Sequence, residues 1–240
     1  MKRRQKIALL SLLTYLLFLA LTAIIGNRAQ PLSRPASAPK TAPDTLLIDP
    51  GHGGLDGGAS AADGTLESGI NLAISLRLRD LCRLCGVTCS MTRTEDVLAY
   101  PETLGSIHDK KVWDQQQRLA MTKTLRNPVL LSIHQNYFPD PRPSGTQVLY
   151  ASTVGSEQLG AIVHDNLLQW LCPDCRRVCM PAGTSIYLMK KAQCPAILVE
   201  CGFLSNPVEA SQLNTPAYQT KIAAILLASY LQYERALTAA

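Results

Sequence analysis

What the chain lacks narrows its function first. Its formal net charge is +5, but the surplus is not spread along its 240 residues. Seven of the 23 Lys and Arg residues (Lys2, Arg3, Arg4, Lys6, Arg28, Arg34 and Lys40) fall within 1–44, against one acid, Asp44. Residues 45–240 keep 16 basic and 17 acidic side chains, so the bulk of the chain has no basic surplus. Nucleic-acid binders carry a cationic face on the folded domain, and nucleic acid is therefore set aside as a partner. There is no internal repeat and, over most of the length, no disorder signature: 47% of the residues are hydrophobic and 17% charged. One domain with extensions fits the length.

Charge is also missing from Ile7 to Gly26, a 20-residue apolar run preceded by Lys2, Arg3, Arg4 and Lys6. Twenty residues at helical rise span about 30 Å, the thickness of a bilayer core. A cleaved signal peptide has a shorter apolar region and a small-residue cleavage site; here the run is longer, and Asn27 stands where a small residue is needed. Residues 1–26 are expected to be a membrane anchor, or else a signal segment, with the basic end in the cytoplasm and the remainder exported. Residues 27–44 carry Pro31, Pro35, Pro39 and Pro43 at every fourth position. They are expected to form an extended linker, reaching roughly 55 Å at about 3.1 Å per residue.

Residues 45–235 alternate strand-like and helix-like stretches. Thr45–Asp49 is a short apolar run closed by Pro50-Gly51 and reads as a buried strand. Ile70, Ile74, Leu78, Leu81 and Cys85 recur at helical spacing from Glu67 onward, and Gly86 supplies a stop. Val87–Met91, Pro128–Ile133, Thr146–Ala151 and Ala196–Glu200 read as further strands; Trp113–Leu125, Glu157–Leu171 and Ala217–Tyr233 as further helices. The pattern predicts one α/β domain of three layers, with a mostly parallel sheet of about six strands covered by helices on both faces. One N-terminal transmembrane helix is expected to precede it.

In such sheets functional residues gather past the carboxyl ends of the strands. Three polar clusters sit there: Asp49-Pro50-Gly51-His52-Gly53-Gly54, Ser132-Ile133-His134-Gln135-Asn136, and Val199-Glu200-Cys201-Gly202-Phe203. Glu67 joins them at the start of the first helix. Two histidines and a carboxylate suit Zn²⁺ and leave a coordination position open, as catalytic zinc sites require; a further carboxylate can move the proton. The gaps of 15 and 67 residues between His52, Glu67 and His134 make no compact metal signature. Each residue also has a plainer reading. A histidine after a strand can be a hydrogen-bonded turn residue, and Glu67 a first-turn acid favoured by the helix dipole. Glu200 resists that treatment, because a carboxylate closing Ala196-Ile197-Leu198-Val199 is costly unless paired or used.

The stretches LLIDPGHGGLDGGAS, Glu67 with Asn71-Leu72, MTRTED, LLSIHQN and PAILVECGFLSNPVEASQL, in this order, closely resemble the zinc-dependent N-acetylmuramoyl-L-alanine amidases of bacterial cell walls. The resemblance runs from about residue 45 to 233. DPGHGG and VExGFLSN together are its specific marks, and the compact size with Tyr187-Leu188-Met189-Lys190 is most like the sporulation and germination subtype. It implies that His52, Glu67 and His134 ligate one catalytic Zn²⁺ and that Glu200 is the catalytic glutamate. Arg93, Arg118 and Asn136 match recurrent family positions, for substrate binding or structural support. The implied substrate partner is peptidoglycan; the N-terminal segment adds the membrane, and control by a regulatory protein of unspecified kind is a separate hypothesis. The implied reaction is hydrolysis of the amide between N-acetylmuramic acid and L-alanine, outside the cytoplasm. A zinc peptidase cutting within the peptide stem would use the same chemistry. A non-catalytic wall-binding module would have lost a ligand or Glu200, and none is missing.

The eight cysteines include two triplets of one spacing, Cys82/Cys85/Cys89 and Cys172/Cys175/Cys179. A second, structural zinc site is conceivable from them. Cys82 and Cys85 fit the apolar stripe of the first helix, so small buried hydrophobes are the simpler account there. Cys172-Pro173-Asp174-Cys175 falls in a predicted loop and is the better disulfide or redox candidate.

Overall fold

The computed structural model describes residues 45–239. The expected N-terminal span and the Pro-rich linker lie outside them. Among the described residues, no helix is long and apolar enough to cross a membrane.

The elements are β1 (Thr45–Pro50), α1 (Glu67–Leu84), β2 (Cys89–Met91), α2 (Ile107–Thr124), β3 (Pro128–Asn136), β4 (Gln147–Tyr150), α3 (Ser156–Leu171), β5 (Met180–Pro181), α4 (Tyr187–Lys191), β6 (Ala196–Phe203), α5 (Pro207–Leu213) and α6 (Pro216–Ala239). They build a six-stranded sheet in the order β2-β1-β3-β6-β4-β5. β2, β1, β3 and β6 run parallel, β4 is antiparallel to β6, and β5 runs parallel to β4. The predicted three-layer, mostly parallel α/β domain is therefore what forms.

Side chains alternate across a strand with a period of two, so a parallel sheet covered on both faces reads as a continuous apolar run. β1 does so: Leu46 and Ile48 join the core beneath α1, α3 and α6, while Leu47 joins the opposite core with Leu130, Leu198, Leu188 and Met189. Ile70, Ile74, Leu78 and Cys82 recur every fourth residue and bring one face of α1 to the first core. Burying each large apolar side chain is worth about 1.5–3 kcal/mol. α6 packs against both α1 and α3. α2 and α4 lie together on the other face of the sheet.

Several boundaries differ from expectation. Cys85 is not part of the α1 stripe: it caps the helix and is exposed. α2 starts six residues before Trp113, at Ile107, because Ser106 caps it, accepting from the Asp109 amide at 3.0 Å while its hydroxyl donates to the Asp109 carboxylate at 2.6 Å. A Ser-x-x-acid capping box of this kind is readable in sequence. α5 was not anticipated, although Asn206 accepts from the Val208 and Glu209 amides and Pro207 occupies the first turn, both standard start signals. β5 is two residues long and held only by its neighbour β4; no periodicity can announce so short an element.

Candidate metal centre

By the alternation rule Asp49, Ser132, His134 and Glu200 share the sheet face that α2 covers. Position 134 on β3 pairs with position 200 on β6 near the strand ends, and the register shifts between His134 and Asn136 before the pairing resumes at Asn136 and Phe203. His52 sits just past β1 and Glu67 on the first turn of α1. Three separate elements thus converge at one edge, and donor atoms of His52, Glu67 and His134 all lie within 4.8 Å of one another.

Glu67 is the hub. Its Oε1 is 3.3 Å from His52 Nε2 and 3.0 Å from His134 Nδ1. The same oxygen accepts from the Gln135 amide at 3.1 Å and from Asn71 Nδ2 at 3.2 Å, while Oε2 accepts from the Ala59 amide at 2.9 Å. Gln135 Nε2 donates in turn to Asn71 Oδ1. Burial alone would raise the Glu67 pKa, but the hydrogen bonds and charges of the two imidazoles hold its carboxyl well below the ordinary range. The residue stays ionised, as a ligand must.

The loop carrying His52 is packed tightly enough to dictate its residues. His52 has a φ of 61°, a left-handed conformation uncommon outside glycine. A Cβ on Gly51 would lie 2.3 Å from the His134 ring, and one on Gly58 would lie 2.5 Å from Glu67 Oε2. Two arginines hold the loop by its carbonyls. Arg93 donates to the Pro50, Gly51, Ser68 and Glu95 carbonyls at 2.9–3.0 Å. Arg118 donates to the Pro50 and His52 carbonyls at 2.7 Å each and pairs with the Asp49 and Asp114 carboxylates. Both are buried. Both arginines thus brace the His52 turn through its carbonyls, and Arg118 also lines the cavity beside His52 and His134. Asn136 is supporting too: its side chain accepts from the Tyr137 amide and its carbonyl from the Leu204 amide.

Two acids matter that the sequence reading did not single out. Asp49, wholly buried, accepts from Thr92 and Arg118 on one oxygen and from Ser132 on the other. Asp56 Oδ2 is 2.8 Å from His52 Nδ1, and its other oxygen lies 2.6 Å from Lys111 Nζ. Only the spacing of four between His52 and Asp56 could have suggested the second pair, and inside an irregular loop that spacing implies nothing. Burial opposes a charge on His52, but the hydrogen bonds to Asp56 and Glu67 outweigh it and push the imidazole up to about 9.

The three donors fit a zinc ion. Ligands at about 2.0–2.1 Å from a tetrahedral ion sit roughly 3.3 Å apart, close to the two separations between Glu67 Oε1 and the imidazole nitrogens. The His52 and His134 rings meet edge to face with centroids 5.0 Å apart, which leaves both nitrogens directed at the carboxylate. Asp56 supplies the carboxylate that metal-ligating histidines use to fix their tautomer. Such partners are worth about 10- to 100-fold in metal affinity. Asp56→Asn is accordingly expected to weaken zinc binding by about that factor, measured by competition with a chromogenic chelator; unchanged affinity would remove Asp56 from this role.

Glu200 completes the site. Its Oε2 is buried and accepts no hydrogen bond. Burial raises its pKa most; His134 and His52 oppose the rise while Glu67 adds to it. A buried carboxylate oxygen with no partner is expensive, and one beside a cluster of metal-ligand type is available for proton transfer. A second metal site built from cysteines is not seen: among the described residues His52, Glu67 and His134 are the one group of metal-ligand type.

The family profile described as N-acetylmuramoyl-L-alanine amidase matches residues 46–229. The chain is 34% identical, over 189 residues, to the germination-specific N-acetylmuramoyl-L-alanine amidase of Bacillus subtilis strain 168, covering 78% of each protein. Among solved structures it is similar to the CwlD amidase of Clostridioides difficile, solved in complex with the GerS lipoprotein, with a TM-score of 0.76 and 33% identity over 80% of this chain and 98% of that one. An N-acetylmuramoyl-L-alanine amidase of Nostoc punctiforme follows at a TM-score of 0.68 and 26% identity, covering 80% of this chain and 97% of that one. With three quarters of its length inside that profile, the chain belongs to the N-acetylmuramoyl-L-alanine amidase family.

Proposed function

We propose that the protein hydrolyses the amide joining N-acetylmuramic acid to the L-alanine of the peptidoglycan stem, with one Zn²⁺ held by His52, Glu67 and His134. The observation that carries this reading is the convergence of those donors beside the unpartnered Glu200 carboxylate. Zinc bound by these three side chains would supply an acidified water and polarise the scissile carbonyl. Glu200 takes the proton from the attacking water and delivers it to the departing alanine nitrogen. Asp56 holds the His52 ring through Nδ1 and leaves Nε2 for the metal. Arg93 and Arg118 keep the loop that presents His52 from relaxing out of its left-handed turn.

Residues 45–235 form the catalytic domain in this reading, acting on the outer face of the cell membrane. The segment 1–26 tethers it there, or is removed on export, and 27–44 is the spacer; the basic start and the uncharged run from Ile7 to Gly26 support this. The likeness to the germination-specific relative supports work on the spore wall. The complex seen for the Clostridioides difficile neighbour supports a protein partner for this chain as well.

Residues 42–240, a compact unit, are the material for the test. Incubated with zinc and purified peptidoglycan, they should release intact stem peptides bearing a new free L-alanine amine, identified by mass spectrometry. A chelator should abolish the release and added zinc restore it. Cleavage inside the stem would identify a zinc peptidase, and wall binding without any cleavage by the zinc-loaded protein a binding module; either result would overturn the proposal.

A further inference from the structure

Of the eight cysteines, Cys172 and Cys175 alone combine a tight turn, converging sulfurs and partial exposure. Cys172 ends α3, and the Cys175 amide donates to the Cys172 carbonyl at 2.9 Å, closing the turn through Pro173-Asp174. Both sulfurs point at Gly145, whose φ is +95°. A Cβ there would lie 2.3 Å from Cys175 Sγ and 3.6 Å from Cys172 Sγ, so the two sulfurs share one small space against the glycine. Thr146 Oγ1 lies 3.8 Å from Cys172 Sγ on the same side. Both cysteines are partly exposed, whereas Cys82, Cys194 and Cys201 are buried. Cys179, the third member of the triplet, packs instead against Gly160 on α3. A metal is not the reason for the pair, since no third ligand joins it among the described residues.

We propose that Cys172 and Cys175 close into an intramolecular disulfide. In the step, two S–H bonds break and one S–S bond forms. The two electrons and two protons pass to an incoming disulfide of the glutathione class, which leaves as two thiols. Burial, with the neighbouring Cys172 thiol, pushes the Cys175 thiol up to about 12. A reduced form that is not stabilised as thiolate favours a lasting structural bond over a redox-catalytic one.

The bond has something to hold. The Gly145 amide donates to Glu209 Oε1 at 2.9 Å, and Glu209 Oε2 accepts from the Phe203 amide at 2.8 Å. Two residues past Cys175, the Arg177 guanidinium lies 4.4 Å from the centre of the Phe203 ring and donates to Gln147 at 3.0 Å. The turn is thereby tied to the end of β6, three residues beyond Glu200. Closing it fixes the start of the segment that carries Arg177 over that strand end.

Peptide mapping tests this without reference to catalysis. The full chain is equilibrated in mixed oxidised and reduced glutathione, denatured, alkylated and cut with trypsin. The peptide 127–176, which contains only these two cysteines, should be lighter by two hydrogens and carry no alkyl group. After dithiothreitol it should carry two. Cys179, in the separate peptide 178–190, should be alkylated in both samples. Two alkyl groups on 127–176 in the glutathione sample, or a bond from Cys172 or Cys175 to any other cysteine, would overturn the proposal.

Discussion

Glu200→Gln should bind zinc as the unaltered protein does, melt no lower, and turn over peptidoglycan about 10²- to 10⁴-fold more slowly. Three measurements check this: metal content, thermal melting and kcat. The argument is local. Glu200 Oε2 is buried and takes no hydrogen bond, so glutamine removes no internal contact of that atom. It also removes the charge whose burial is penalised, which is why stability should hold or rise. What glutamine lacks is a basic oxygen to take a proton. His52→Ala, by contrast, should lose zinc and activity together, because it removes a donor from the cluster. Full turnover in Glu200→Gln would mean that another group moves the proton.

Arg118→Leu carries the largest expected effect on stability. The side chain pairs with Asp49 at 2.9 Å and with Asp114, and it donates to the carbonyls of Pro50 and His52. Removing one partner of a buried pair costs about 3–5 kcal/mol, because the other charge is left without compensation. For a chain of this size 1 kcal/mol moves Tm by about 2–4 °C, so the variant should melt roughly 6–20 °C lower. Burial raises the Asp49 pKa, but Arg118, Ser132 and Thr92 together bring it below the ordinary 3.8. In the native protein that stabilisation is complete above the unfolded value and is lost as pH falls through the lower folded one. In Arg118→Leu the sign reverses: a stranded Asp49 has a raised pKa, so the penalty should shrink on acidification toward about pH 4. The double variant Asp49→Asn/Arg118→Leu should recover part of the loss at neutral pH. Equal melting of Arg118→Leu and the unaltered protein would show that Asp49 is satisfied by Thr92 and Ser132 alone.

The outcomes for the two arginines and for the cysteines show what a linear reading can reach. Arg93 and Arg118 were visible as residues that recur in the family, but among their partners are backbone carbonyls of residues 50–52, up to 68 positions away. No pattern in the chain encodes such a partner, because the hydrogen-bonding groups of a carbonyl are the same at every residue. Asp56 and Lys111 were invisible for a related reason. Asp56 matters because it touches His52 Nδ1, and Lys111, on α2, because it pairs with the other oxygen of Asp56; the loop that carries Asp56 has no period from which such contacts can be inferred. Cys85 was misplaced because α1 ends one residue earlier, and the capping position turns its side chain outward.

The parallel sheet and its covering helices were determined by sequence alone, since short continuous apolar runs and the four-residue recurrence of Ile70, Ile74, Leu78 and Cys82 are local signals of hydrophobic partition. So was the presence of His52, His134 and Glu200 at strand ends, because each closes or follows an apolar run. Their meeting in one cluster of metal-ligand type was not. His52, Glu67 and His134 are 15 and 67 residues apart, and strand register together with the left-handed turn at His52 brings their donors within 4.8 Å of one another. Register and turn geometry are set by packing summed over the whole core, and that sum exists only in the folded chain.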